Sequence, residues 1–183
     1  MSTIKTIPES HIASREREIK RLLSYLCEGD CCSVVGMSNV GKSELLRTAH
    51  QFEVRPQDLP ESKGAYLLVY IDLNLMLEMT EQGFYEIVIR SLLTEMQNHR
   101  ADGGLREQIS QSYESIVNPK NEFLISHAFN QALTTFAQEW TPGVVFFFDE
   151  FDHPFATIEG RVFLNLRALR DRYGHRMLYV TAT

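Results

Sequence analysis

Gly36-Met37-Ser38-Asn39-Val40-Gly41-Lys42-Ser43 follows the apolar run Cys32-Ser33-Val34-Val35 and leads into Glu44-Leu45-Leu46. The octet fits G-x-x-x-x-G-K-[ST] at every fixed position, with a strand-like run before it and an amphipathic helical pattern after it. The residue types follow from what a phosphate chain requires. Gly36 and Gly41 permit backbone turns that aim the N–H groups of Met37, Ser38, Asn39 and Val40 at phosphate oxygens. The helix that follows adds its positive N-terminal end. Lys42 reaches β- and γ-phosphates as a point charge, and the Ser43 hydroxyl is placed to ligate Mg²⁺. The plain alternative is a glycine-rich turn that binds nothing; strand, Lys-Ser pair and helix in register weigh against it.

Outward from this loop, strand and helix patterns alternate. Ile19, Leu22, Leu23 and Leu26 recur at helical spacing within 14–26, and Glu16 precedes Lys20 by four residues. A short buried strand is expected over Cys32–Gly36 and a helix over Lys42–Gln51. Pro56, Pro60 and Gly64 punctuate a loop before a second strand at Ala65–Leu73. Helices are expected at Phe84–Asn98, with breaks at Asp102-Gly103-Gly104 and Asn118-Pro119, and at Glu122–Trp140, where Leu124, Ala128, Ala132, Phe136 and Trp140 recur every four residues. Gly143–Phe148 is a third strand, almost wholly apolar, as befits a strand covered on both faces. A helix at Ile158–Arg172 and a fourth strand from Met177 complete the series. This alternation predicts the α/β class, a parallel sheet with helices on both faces. It divides the chain into an N-terminal segment and helix, 1–30, and a core, 31–183.

The third strand ends in Asp149-Glu150. A buried strand thus delivers two carboxylates to its C-terminal edge, where open α/β sheets bind ligands. Asp149 is the expected magnesium holder, mostly through water. Glu150 is the expected general base that orients and deprotonates an attacking water. Most small-molecule kinases need no such base. Asp152 either tunes the metal site or caps the following turn, and capping is the preferred reading. His153 beside Pro154 reads as a turn residue; no role is assigned to His11, His50, His99, His127 or His175.

With 183 residues, 44% hydrophobic and 23% charged, the chain can bury a core without disulfides. Its formal net charge of −6 argues against nucleic acid as the default partner. Cys27, Cys31 and Cys32 are odd in number and clustered, with no histidine at zinc-ligand spacing, and read as reduced residues of a cytoplasmic chain. Met1–Ser10 lacks the apolar run of a signal peptide, and no apolar run reaches membrane-spanning length.

These residues resemble the P-loop ATPases with an additional catalytic glutamate. More narrowly, they look like the AAA-related signal-transduction ATPases with numerous domains (STAND, the NACHT and NB-ARC group), near the origin-recognition ATPases. The phosphate loop, the Asp149-Glu150 pair and Ser14-Arg15-Glu16-Arg17-Glu18, similar to a Gly-Arg-x-x-Glu box, carry the resemblance. It implies a three-layer P-loop NTPase core with a mostly parallel sheet. It implies ATP as ligand, Mg²⁺ as cofactor, and hydrolysis to ADP and phosphate that drives a conformational or oligomerisation switch. It places Arg15 near the adenine and Glu44 beside the loop. It makes Thr183, with Thr181 as second choice, a polar sensor of the γ-phosphate. In that group a fifth strand and a helical lid follow the sensor, so an incomplete core with weak binding and little hydrolysis on its own is the expectation. Self-association or downstream domains are the implied partners.

Two other nucleotide chemistries lack their residues. Guanine recognition needs an Asn/Thr-Lys-x-Asp segment, which Asn118-Pro119-Lys120-Asn121 is not. The Leu-Ser-Gly-Gly signature of transporter ATPases does not occur. Arg161, Arg167, Arg170, Arg172 and Arg176 form an arginine-dense stretch that meets DNA phosphates, serves a neighbouring subunit's nucleotide, or is a solvated helix face. The last is preferred, leaving as alternatives a DNA-associated ATPase of origin-recognition or transposon-associated type, or a nucleotide-binding module without turnover.

Overall fold

The computed structural model describes residues 15–37, 41–57, 64–99 and 101–183. Ser38, Asn39 and Val40 of the loop, Ser14 of the arginine box and the N-terminal segment before it lie outside the described residues. The elements are α1 (Glu16–Cys27), β1 (Cys32–Val34), α2 (Lys42–Ala49), β2 (Leu67–Asp72), α3 (Glu81–Asn98), α4 (Gly103–Val117), α5 (Phe123–Glu139), β3 (Val144–Asp149), α6 (Asp152–Thr157), α7 (Gly160–Tyr173) and β4 (Met177–Ala182). The four strands form one sheet in the order β1-β4-β3-β2, and every neighbouring pair is parallel. The molecule is therefore α/β with a parallel sheet flanked by helices.

Strand periodicity splits the core into two layers. Val145 and Phe147 of β3 point with Leu68, Leu178 and Val180 toward α1 and α2, where Leu22, Leu26, Leu46 and Ala49 meet them. Val144, Phe146 and Phe148 point the other way, against α3, α5 and α7. All six residues of β3 are buried, which is why its sequence runs apolar without alternation until the final aspartate.

The elements depart from the sequence reading at their edges. β1 stops at Val34, and β3 begins at Val144 and takes in Asp149. Gly103 and Gly104 open a helix instead of merely breaking one, because the Asp102 carboxylate accepts the N–H groups of Gly104 and Leu105 as a cap. Leu124 is largely exposed at the start of α5; the buried face there is carried by Ile125, Phe129 and Leu133 together with Ala128, Ala132 and Phe136. His153-Pro154 lies within a short helix, α6, since proline is tolerated in a first turn. Asp152 does not cap it: the flanking position is Phe151, and no side-chain cap bond is made.

Gly143 holds β3 against the turn before β4. Its φ is 143°, and a Cβ there would lie 2.2 Å from the Arg176 carbonyl oxygen, a backbone atom that cannot swing away. Its own carbonyl accepts the Leu67 N–H at 2.9 Å, starting the β2–β3 ladder. Gly143→Ala is expected to cost about 3 kcal/mol, from strained backbone plus overpacking. Urea unfolding measures it, and a midpoint equal to that of the parent chain would count against this account of the strand start.

Candidate functional site

The C-terminal edge of the sheet carries the site, and the strand order decides what meets there. β4 lies between the strand that feeds the loop and the strand that carries the acidic pair. Its end is held on both sides. The Thr183 N–H donates to Val34 O at 3.1 Å, the Gly36 N–H donates to Thr183 O at 3.3 Å, and the Phe151 N–H donates to Ala182 O at 2.9 Å. The loop entrance, Thr183 and the turn after the acidic pair are one hydrogen-bonded unit.

On the loop side, Gly41 sits at φ 80° and opens α2. Its carbonyl accepts the Leu45 N–H at 3.0 Å and an Arg15 guanidinium N–H at 2.8 Å. The resemblance puts Arg15 near a base; in the structure its guanidinium lies against Gly41, near the end of the 36–43 loop. A Cβ on residue 41 would come within 2.5 Å of that guanidinium, so the glycine serves both the left-handed turn and the close approach of Arg15. The Lys42 ammonium donates to Gly36 O at 2.7 Å and Met37 O at 2.9 Å, curling over the entrance of the loop.

On the acidic side, Asp149 is 1% exposed. Its Oδ1 accepts the Ser43 hydroxyl at 3.1 Å and the Glu150 N–H at 3.1 Å. Its Oδ2 accepts the Tyr70 hydroxyl at 2.5 Å. Glu150 adopts φ 57°, the left-handed region that side-chain-bearing residues seldom occupy, and is exposed. A cavity of about 610 Å³ joins the two halves. Gly36, Gly41, Lys42, Ser43, Glu44 and Arg47 line it from the loop and α2, and Asp149, Glu150, Asp152, Ala182 and Thr183 from the facing strands.

The sequence reading thus named eight of the eleven lining residues as binding, catalytic or metal-holding groups; Arg47 and Ala182 were not named, and Asp152, preferred as a cap, lines the cavity instead. Thr181 is elsewhere: on β4 it faces the side opposite Val180 and Ala182, and its hydroxyl pairs with Ser33 at 2.6 Å. The structure therefore brings Thr183 to the cavity and not Thr181. Met37 is 80% exposed at the loop entrance and is not among the lining residues.

Tyr70 and Arg47 are what the sequence did not reveal. Tyr70 pairs directly with Phe147 in the β2–β3 register, so Asp149 is its diagonal neighbour on the same face. The Arg47 guanidinium donates to the Tyr70 hydroxyl at 3.0 Å and lies 3.9 Å from the Asp72 carboxylate. Burial first, and then the bond to Asp149, push the Tyr70 phenol well above its ordinary pKa, while Arg47 pulls it down; the phenol stays a donor throughout the physiological range. Arg47 is itself held above its usual value, chiefly by its bond to Tyr70.

The arginine-dense stretch is engaged within the chain. Arg161 bonds Glu81 at 2.7 Å and Glu159 at 3.0 Å, and Arg167 lies 3.9 Å from Asp171. Arg170 donates to Gly29 O at 2.8 Å, Arg176 to Ala137 O at 3.1 Å, and Arg172 lies over the Tyr173 ring.

Among the described residues no three His, Cys, Asp or Glu side chains gather as a metal-binding group. The donor set at Ser43 and Asp149, one hydroxyl and one carboxylate, suits a cation that takes its remaining oxygens from phosphates and water, as Mg²⁺ does. No helix among the described residues is long and apolar enough to cross a membrane. No protein-family model matches the chain, and no curated protein matches it.

Proposed function

We propose that the chain is the nucleotide-binding core of a Mg²⁺-dependent ATPase of the STAND type, which hydrolyses ATP to ADP and phosphate to drive a conformational or assembly switch. The observation that carries this reading is the 3.1 Å contact between Ser43 Oγ and Asp149 Oδ1 across 106 residues of sequence, in a cavity that also holds Lys42 and Glu150. The parallel sheet supports the P-loop NTPase core without being specific to it. ATP is the nucleotide, and the three unpaired cysteines support a reducing, cytoplasmic setting.

Lys42 and the amides at the start of α2 bind the β- and γ-phosphates. In the structure that ammonium bonds two loop carbonyls, and phosphate oxygens take their place. Ser43 and Asp149 would hold Mg²⁺, which when bound would neutralise phosphate charge. Glu150, exposed to the cavity at the end of a rigid strand, accepts the proton of the attacking water. Thr183 offers a hydroxyl donor to the γ-phosphate from the strand between the two halves. Arg15 fixes the left-handed end of the loop. Arg170 and Arg176 are tied to backbone carbonyls, while Arg161 and Arg167 make only exposed ion pairs, in keeping with a solvated helix face.

Calorimetry of the parent chain tests the proposal. ATP with Mg²⁺ is expected to bind at a single site, and removal of Mg²⁺ with EDTA to weaken binding about tenfold or more, given the charge carried by a triphosphate. Absence of binding heat with millimolar ATP or ADP would refute the proposal. ATP-dependent growth in particle size by light scattering would support the assembly switch.

A further inference from the structure

We infer that Tyr70 and Arg47 form a positioning brace that fixes which oxygen of Asp149 faces the metal; this rests on the nucleotide site proposed above. Asp149 has two carboxylate oxygens and the structure gives them different duties. Oδ2 is occupied by the Tyr70 hydroxyl at 2.5 Å, from the side of β2. Oδ1 faces α2, where it accepts Ser43 Oγ and the Glu150 N–H. A buried carboxylate with one free oxygen rotates toward whatever donor reaches it. With Oδ2 tied to the neighbouring strand, Oδ1 stays aimed at Ser43, and a cation is met by one oxygen instead of a bidentate pair. That is the mode suited to Mg²⁺, which needs near-octahedral geometry and keeps several waters.

Arg47 completes the brace. It lies one turn after Ser43 on α2, so the same helix that presents the metal-binding hydroxyl also sends a guanidinium across to β2. That guanidinium lies over the Tyr70 ring, 5.6 Å from its centroid, and donates to the hydroxyl oxygen, which turns the phenolic proton toward Asp149. Helix α2, strand β2 and strand β3 are thereby linked around a single carboxylate. Tyr70 acts on Asp149 directly and Arg47 acts on it through Tyr70, so both are positioning residues in this inference. Outer groups that orient a metal ligand commonly govern affinity for the metal.

The test separates this role from a merely structural one by reading nucleotide affinity against Mg²⁺ concentration. With a fluorescent ATP analogue as probe, Tyr70→Phe is expected to raise the half-saturating Mg²⁺ concentration about tenfold, the value of one charge-assisted hydrogen bond. Its affinity for the probe in EDTA stays that of the parent chain, while its thermal midpoint falls by about 2–4 °C because buried Asp149 loses a donor. Arg47→Gln shifts the same curve about threefold, and Arg47→Lys shifts it less than Arg47→Gln. A Tyr70→Phe curve that overlays the parent curve overturns this inference alone. Equal loss of affinity with and without Mg²⁺ also overturns it, since that marks general damage. A parent chain that binds no probe at any Mg²⁺ concentration overturns the nucleotide reading and this inference with it.

Discussion

Lys42→Ala is expected to abolish ATP binding while leaving the fold intact. Among the described residues the ammonium is the one lysine charge in the cavity, and charge-assisted bonds to two phosphate oxygens are worth about 3 kcal/mol or more together, so affinity falls at least about a hundredfold. The fold does not depend on it. The bonds that Lys42 makes to Gly36 O and Met37 O are exposed, and water replaces them. Its stability cost is therefore within about 0.5 kcal/mol. Calorimetry and urea unfolding on the same sample give both quantities. An unchanged ATP affinity would remove the phosphate-loop assignment, and a large loss of stability would show that the loop entrance depends on the lysine.

Glu150→Gln is expected to bind ATP as the parent chain does and to hydrolyse it about a hundredfold more slowly or worse, the usual range for loss of a general base. Single-turnover phosphate release measures it, and equal rates would remove Glu150 as the base. Its backbone adds a second, independent measurement. At φ 57° a side-chain-bearing residue carries about 1–2 kcal/mol of strain. Glycine carries none there, so Glu150→Gly should be about 1 kcal/mol more stable than Glu150→Ala although both are inactive. Strain retained where glycine would fit more easily is common at functional positions, and the comparison separates the stability cost of the carboxylate from its chemistry.

Both residues were visible in the sequence because the chemistry of the site is written locally. The octet from Gly36 to Ser43 fixes a lysine and a hydroxyl by spacing alone, and the six-residue run before Glu150 reads as a buried strand because no residue in it tolerates water until Asp149. The alternation of strands and helices likewise gives the parallel sheet. What escaped has a tertiary cause. Tyr70 is an ordinary strand former in a stretch rich in them, and only the Tyr70–Phe147 register makes it the diagonal neighbour of Asp149. Arg47 reads as a solvent-facing helix residue, and 57% of its side chain is indeed exposed. Thr181 and Thr183 are two residues apart and would share a strand face, so separating them needed the exact end of β4: Thr181 lies within the strand and pairs with Ser33, whereas Thr183 lies just past its end, at the cavity. The α6 helix was hidden by His153-Pro154, a pair that marks a turn in most contexts but fits a first helical turn.

The end of β4 acts as a crossbar between the two halves of the cavity. Bonds from Val34, Gly36 and Phe151 converge on Ala182 and Thr183, so one strand end cannot slide without moving the loop entrance and the turn that carries Glu150 together. Force applied along this strand is delivered to both halves at once, and a change at either half is delivered back to the strand. On the nucleotide reading proposed above, this one strand end is where a change at the phosphates would be passed on to the sheet.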